Sequence, residues 1–151
     1  MRDAHLGSVW EGTSNIVALD VLRAIQREGA LPVWQDHMSG LLDATPWHPN
    51  ARSNLDQLMA RVSGLAQTSA DQKDEAQARR VAAALYHLTS AIAMGWEAHQ
   101  TQNPRRMVLA QCVLQHRLLP RDPLTANAVT HLDVLWSTSA PVGPVGDICI
   151  L

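Results

Sequence analysis

The residues of this sequence that could carry out chemistry stand close together near its start. Glu11 lies between Trp10 and Gly12, and two hydroxyl residues, Thr13 and Ser14, follow. An indole beside a carboxylate excludes water and disfavours the charged form, so Glu11 could accept a proton near neutral pH. Gly12 has no side chain and would let a flat ligand approach the backbone. This combination suits a base beside a bound cofactor.

The same residues also have a purely structural interpretation. Thr13 or Ser14 can cap a helix by accepting the free N–H groups of its first turn. A glutamate close to that turn is also favourable to the helix dipole. Considered on spacing alone, this structural interpretation is favoured over the catalytic one.

A longer pattern around Glu11 resembles a known signature. Arg2-Asp3-Ala4 is followed by six residues, then by Glu11-Gly12-Thr13, and Ile16 comes three positions after Thr13. This spacing resembles the signature of flavin-dependent acyl-CoA dehydrogenases, roughly R-D-A-x6-E-G-T-x-x-I, in the loop entering a late helix of their C-terminal helical domain. The stretch Leu19–Arg23 resembles the alkylation-response (AidB-type) branch in particular. The clear resemblance covers residues 1–28, and a looser one continues to about residue 124.

The resemblance implies a mechanism and a set of site residues. Glu11 corresponds to the base that removes the α-proton of an acyl-CoA thioester while the β-hydrogen leaves as hydride to FAD. Gly12, Thr13 and Asn15 correspond to positions near FAD, and Trp10 to the acyl pocket. Trp10 stands where the family more usually has Tyr, and Asn15 where many members have Gln.

The resemblance also implies what the chain does alone. The family has an N-terminal helical domain and a middle β-domain, which this sequence does not encode, so we expect a C-terminal part that is inactive alone and binds FAD weakly. The alternative is a non-catalytic interaction module that forms homo-oligomers through the exposed face of helix 13–28. Nucleic-acid binding is implied by the alkylation-response branch, and Arg79-Arg80 and Arg105-Arg106 could contact phosphates. Isolated arginine pairs in a chain with a net charge of −2 are more often solvated, which disfavours it.

Composition predicts a cytoplasmic, all-helical protein. Apolar residues make up 46% of the chain, enough for a real core, and Ala and Leu, which favour helices, are abundant. Cys112 and Cys149 have no CxxC partner, which favours a reduced compartment. No apolar stretch is long enough to span a membrane. The seven histidines form no HxxxH or HxH pair, so we expect no metal site.

Periodicity and capping signals predict one all-α domain, a bundle of five to six helices over residues 1–136. Residues 1–12 are expected to form a flexible loop, and residues 137–151 a flexible tail. The first helix, 13–28, should end at Gly29 and bury Ile16, Leu22 and Ile25 among other apolar positions. The other helices are expected at about 32–43, around 55–65, at about 70–100, from Asn103-Pro104 to about 118, and at 124–136.

Within that bundle, two features of the helix at 70–100 are predicted in more detail. Ser69 and Gln72 fit a capping box that would start this helix. Its C-terminal half, from Val81 to Trp96, is apolar on nearly all sides, so we expect it at the centre of the bundle.

Overall fold

The described part of the chain, residues 14–119 of the computed structural model, is a bundle of helices without strands. The five helices are α1 (Ser14–Glu28), α2 (Ala30–Asp43), α3 (Pro49–Asp71), α4 (Ala78–Thr101) and α5 (Pro104–Val113), and a π-helical turn (Leu114–Leu118) continues α5. The predicted all-α class is confirmed. The loop expected at 1–12, the helix at 124–136 and the tail at 137–151 lie outside the described residues.

A single residue, Gly29, separates α1 from α2. Its backbone is left-handed, with φ 63° and ψ 32°, a conformation that glycine adopts without steric cost. The sequence therefore predicts this helix end correctly. α2 begins at Ala30 rather than at Pro32, because proline is also accommodated within the first helical turn, where its missing N–H has no intrahelical partner to lose.

The boundary between α3 and α4 differs from the sequence prediction. The expected capping box of Ser69 with Gln72 does not start a helix, since α3 continues through Asp71 and Ser69 is buried within it. Ala66 and Ala70 continue the buried face of α3 at this point and share an apolar cluster with residues of α1. Packing against α1 therefore outweighs the local capping signal.

The break between these two helices lies a few residues further along the chain. Lys73 adopts a left-handed φ of 53°. The carboxylate of Asp74 then accepts a hydrogen bond from the N–H of Ala76 at 3.1 Å, which caps a short 3₁₀ turn at Glu75–Gln77. α4 begins at Ala78, eight residues later than the sequence predicts.

The predicted start of α5 at Asn103-Pro104 is confirmed. The side-chain oxygen of Asn103 accepts a hydrogen bond from the N–H of Arg105 at 3.1 Å, and Pro104 is the first helical residue. Gln102 ends α4 in a left-handed conformation, with φ 52°. Because this connection is so short, α4 and α5 pack side by side as antiparallel neighbours.

Two apolar clusters hold the helices together. One lies among α2, α3, α4 and α5, and the other joins α1 to α2, α3 and α4. The largest fully buried side chains are Met38, Leu42, Leu55, Leu88, Ile92, Leu114, Val81 and Val108. Three of them, Val81, Leu88 and Ile92, belong to the stretch of α4 expected at the centre of the bundle. Tyr86 in the same stretch is 67% exposed, so this stretch is not buried on all sides.

α1 buries a narrower face than its sequence predicts. Leu22 and Ile25 are buried as expected, but Ile16 is 50% exposed. Ala18 faces the bundle instead and is almost fully buried, since its small side chain allows α1 to approach the neighbouring helices closely. The first turn of α1 consequently presents Ile16 and Val17 at the surface.

Two tryptophans attach other parts of the chain to α4. The Nε1 of Trp34, on α2, donates a hydrogen bond to the hydroxyl of Thr89 at 2.8 Å. Trp47, in the connection before α3, lies directly against Gly95, where an ideal Cβ would be only 2.0 Å from the Cη2 atom of the ring. The indole of Trp47 therefore occupies the space that a side chain at position 95 would need.

Candidate functional site

Only one of the five site residues implied by the resemblance lies in the described part of the chain. Trp10, Glu11, Gly12 and Thr13 lie outside it. Asn15 is exposed in the first turn of α1, where backbone N–H groups have no intrahelical partner. It borders neither of the two clefts described next.

A long cleft of about 930 Å³, here called the α4–α5 cleft, runs between these two helices. One face of each helix lines it, because residues three, four, seven and eight positions apart lie on the same side. The lining residues are Tyr86, His87, Ser90, Ala93, Met94 and Glu97 on α4, and Leu109, Cys112, Val113, His116 and Arg117 on α5 and its π-helical turn. Most of the apolar side chains are in the middle of the cleft.

The two ends of the α4–α5 cleft carry different charges. Near the turn between the helices, the carboxylate of Glu97 pairs with the guanidinium of Arg106 at 3.3 Å. At the other end are His87 and Arg117. Ten residues of α4 separate His87 from Glu97, which corresponds to about 15 Å along the helix.

A smaller groove of about 340 Å³ adjoins the cleft at His87 and Arg117. It lies among α3, α4 and the π-helical turn, and we call it the arginine groove because Arg61, Arg80 and Arg117 line it. None of the described residues in its lining is acidic. Apart from His87, the rest of that lining is apolar and consists of Leu58, Val62, Leu65, Ala83, Ala84 and Leu118.

The three guanidinium groups of this groove are available to a ligand. Within residues 14–119, none of the three forms a salt bridge, and all three side chains belong to exposed residues. Like charges in one groove repel one another, and an anion placed among them would relieve that repulsion. The groove is therefore suited to a negatively charged group.

His87 stands where the cleft and the groove meet. Burial lowers the pKa of His87, and the positive charge of Arg117 lowers it further, so the imidazole is neutral at neutral pH. A neutral imidazole has one donor and one acceptor nitrogen. The ring of Tyr86 contacts it edge-on, with 5.2 Å between the ring centroids. His87 can thus form a hydrogen bond to a ligand without adding charge.

Cys112 is not an activated nucleophile. Burial raises the pKa of its thiol, so the thiol stays protonated at neutral pH, whereas the thiolate is the reactive form.

Two histidines, His87 and His116, also line the cleft. Among the residues from 14 to 119, however, no three His, Cys, Asp or Glu side chains come together as metal ligands.

The π-helical turn after α5 carries Arg117 into this region. The N–H of Leu119 bonds to the carbonyl of Leu114 at 2.9 Å, the five-residue spacing of a π-helix. The sequence gives no signal for this change, since the apolar pattern reads as α-helix to Leu118. The sequence predicts Arg79 and Arg80 to be one solvated pair, whereas only Arg80 lines the groove.

Comparison with protein-family models, with curated proteins and with solved structures finds no match for this chain. Among the helices between residues 14 and 119, none is long and apolar enough to cross a lipid bilayer.

Proposed function

We propose that the chain acts as the C-terminal helical part of an FAD-dependent acyl-CoA dehydrogenase-like oxidoreductase. The observation that carries this proposal is the spacing of Arg2-Asp3-Ala4 against Glu11-Gly12-Thr13. The all-α bundle is compatible with it, since α1 follows directly after the pattern and packs against α3 and α4. A cytoplasmic location belongs to the same proposal, because Cys112 is a free thiol.

In the proposed reaction, Glu11 removes the α-proton of the thioester, FAD accepts the β-hydrogen as hydride, and an α,β double bond forms. Proton removal requires that the thioester carbonyl accept hydrogen bonds that stabilise its developing charge. Of the implied cofactor contacts, the structure describes only Asn15, and it lies outside both clefts. A flavin site at Asn15 would also depend on Trp10, Glu11, Gly12 and Thr13, which lie outside the described residues.

The proposal is tested by flavin uptake and dye reduction. The purified chain is mixed with excess FAD, and bound flavin is followed by its visible spectrum while short and branched acyl-CoAs are supplied. Because the chain is expected to be inactive alone, we expect weak flavin uptake and dye reduction no faster than close to background. Any such activity should fall at least about 100-fold in Glu11→Gln while flavin uptake is retained, because a general base contributes at least that factor. Glu28→Gln, at the exposed end of α1, is the matched control.

The second candidate is a non-catalytic module that associates with copies of itself. The observation that favours it is the exposure of Ile16 (50%) and Val17 (45%) on the first turns of α1. Light scattering should then show a dimer or larger species that Val17→Ser converts to monomer. Val33→Ser, at a still more exposed valine on α2, should have no such effect. Absence of flavin uptake together with this result would replace the enzyme proposal.

A further inference from the structure

The α4–α5 cleft and the arginine groove adjoin at His87 and Arg117 but differ in chemistry. We propose that together they bind an amphiphilic organic anion, with a carboxylate or phosphate head among the arginines and a short apolar chain along the cleft. This site involves none of residues 2–16, so it stands or falls independently of the flavin chemistry proposed above.

The head group is assigned from the charge of the groove. Arg61, Arg80 and Arg117 come from three different elements and converge on a space of about 340 Å³. A guanidinium offers a planar fork of donors that matches two oxygens of a carboxylate or phosphate. Because no acidic residue lines the described groove and none of the three is paired within residues 14–119, an anion has no internal competitor there.

The electrostatics at the junction agree with this assignment. His87 lines both the cleft and the groove, and burial and, after it, the charge of the neighbouring Arg117 lower its pKa. A bound anion would offset that charge. His87 could also donate its ring N–H to an oxygen of the head group.

The apolar chain is assigned from the middle of the cleft. Ala93, Met94, Leu109 and Val113 line it, and Leu109 is 38% exposed although it is a large apolar side chain. A bound alkyl chain would remove this surface from water. Met94 is unbranched and flexible, so it can adjust to chains of different shape. A volume of about 930 Å³ is within the range of small-molecule sites.

The far end of the cleft fixes the direction in which the ligand lies. Glu97 is there and already pairs with Arg106, so the guanidinium of Arg106 is not available to an anionic head. The head is therefore favoured at the Arg117 end, about 15 Å away along α4. A ligand with a charged head and an apolar chain would therefore place its head at the Arg117 end and its chain along the middle of the cleft.

Isothermal titration calorimetry of the full chain with four probes tests the proposal. Octyl phosphate and octanoate carry both parts of the ligand, 1-octanol has only the chain, and inorganic phosphate has only the head. We expect saturable binding of at least one of the first two, weakened by added salt. The isolated head and the isolated chain should each bind at least about tenfold more weakly, and the preferred amphiphile identifies the head group.

Matched variants locate the binding. Arg80→Gln and Arg117→Gln should each weaken binding of the amphiphile about tenfold, the effect of losing one charge-assisted hydrogen bond. Arg79→Gln, which removes the same charge from the neighbouring residue outside the groove, should leave it unchanged. Leu109→Ser should weaken amphiphile binding and make no difference to inorganic phosphate. Circular dichroism checks that each variant keeps its helical content.

Three results would overturn the proposal. The first is no saturable binding of either amphiphile to the folded chain. The second is 1-octanol binding as tightly as the anions, since the arginines would then contribute nothing. The third is an equal effect of Arg79→Gln and Arg80→Gln, which would place the binding in the general charge of the surface rather than in the groove.

Discussion

Replacing Gly95 with alanine should destabilise the bundle, although the same change usually stabilises a helix. In a helix interior, alanine is favoured over glycine by about 1 kcal/mol. At position 95, however, the new methyl group would lie 2.0 Å from Cη2 and 2.5 Å from Cζ2 of Trp47. Atoms this close cannot be accommodated by a small shift, so the indole must leave its position.

The size of the destabilisation expected for Gly95→Ala follows from the cost of displacing the indole of Trp47. Removing a buried tryptophan side chain costs about 3–5 kcal/mol, and the lower end applies because Trp47 is only partly buried. Within residues 14–119 its Nε1 also has no hydrogen-bond partner, so release into water recovers a hydrogen bond. A loss of about 3 kcal/mol less the helix gain of about 1 kcal/mol leaves a net destabilisation of about 2 kcal/mol.

Urea unfolding followed by circular dichroism measures this value against a matched control. Gly64 is also inside a helix, α3, but nothing lies within 4 Å of its ideal Cβ, so Gly64→Ala should stabilise by up to about 1 kcal/mol. The two variants should therefore differ by about 3 kcal/mol. In a Trp47→Ala background the clash is absent, and Gly95→Ala should become stabilising. Equal stability of Gly95→Ala and Gly64→Ala would refute the reasoning, as would an unchanged penalty without Trp47.

Three further effects are expected. Asn103→Ala should lower the free energy of unfolding by about 1 kcal/mol in urea, because the cap of α5 is lost, whereas Asn103→Asp should retain most of it. Trp34→Phe should cost about 1 kcal/mol, and a double-mutant cycle with Thr89→Val should show that the two losses are not additive. Because the pKa of His87 is lowered in the folded state, the unfolded chain binds this proton more readily, so stability should fall as pH decreases through 6.5. His87→Gln should flatten that dependence in a pH series of urea unfolding curves, and an unchanged slope would contradict it.

Helix ends could be predicted from the sequence where neighbouring residues alone determine them. Gly29 ends α1 because a left-handed residue is needed there, and Asn103 with Pro104 starts α5 through a local cap. The signal at Ser69 is equally local and equally well formed, but it fails. Contacts between Ala70 and α1, more than forty residues away in sequence, decide that α3 continues. Capping rules consider only neighbouring residues, so they cannot account for contacts between distant parts of the chain.

The two candidate sites also differ in whether neighbouring residues alone define them. The pattern around Glu11 is contiguous, so a sequence can reveal it, but its residues from Trp10 to Thr13 lie outside the part of the chain that the structure describes. The residues of the arginine groove, in contrast, are not contiguous in the sequence. Its three arginines are 19 and 37 residues apart in sequence, and they meet only because α3 and α4 pack together and a π-helical turn follows α5.

The pair Arg79 and Arg80 shows why charge alone could not have revealed this groove. Consecutive residues on an α-helix point about 100° apart, so two adjacent arginines leave the helix in different directions. Arg80 lies three, four and seven residues before Ala83, Ala84 and His87, which all line the groove with it, whereas Arg79 is not among the lining residues. A basic residue on a helix therefore becomes evidence for a binding site only when the apolar residues three and four positions away are known to border an open space.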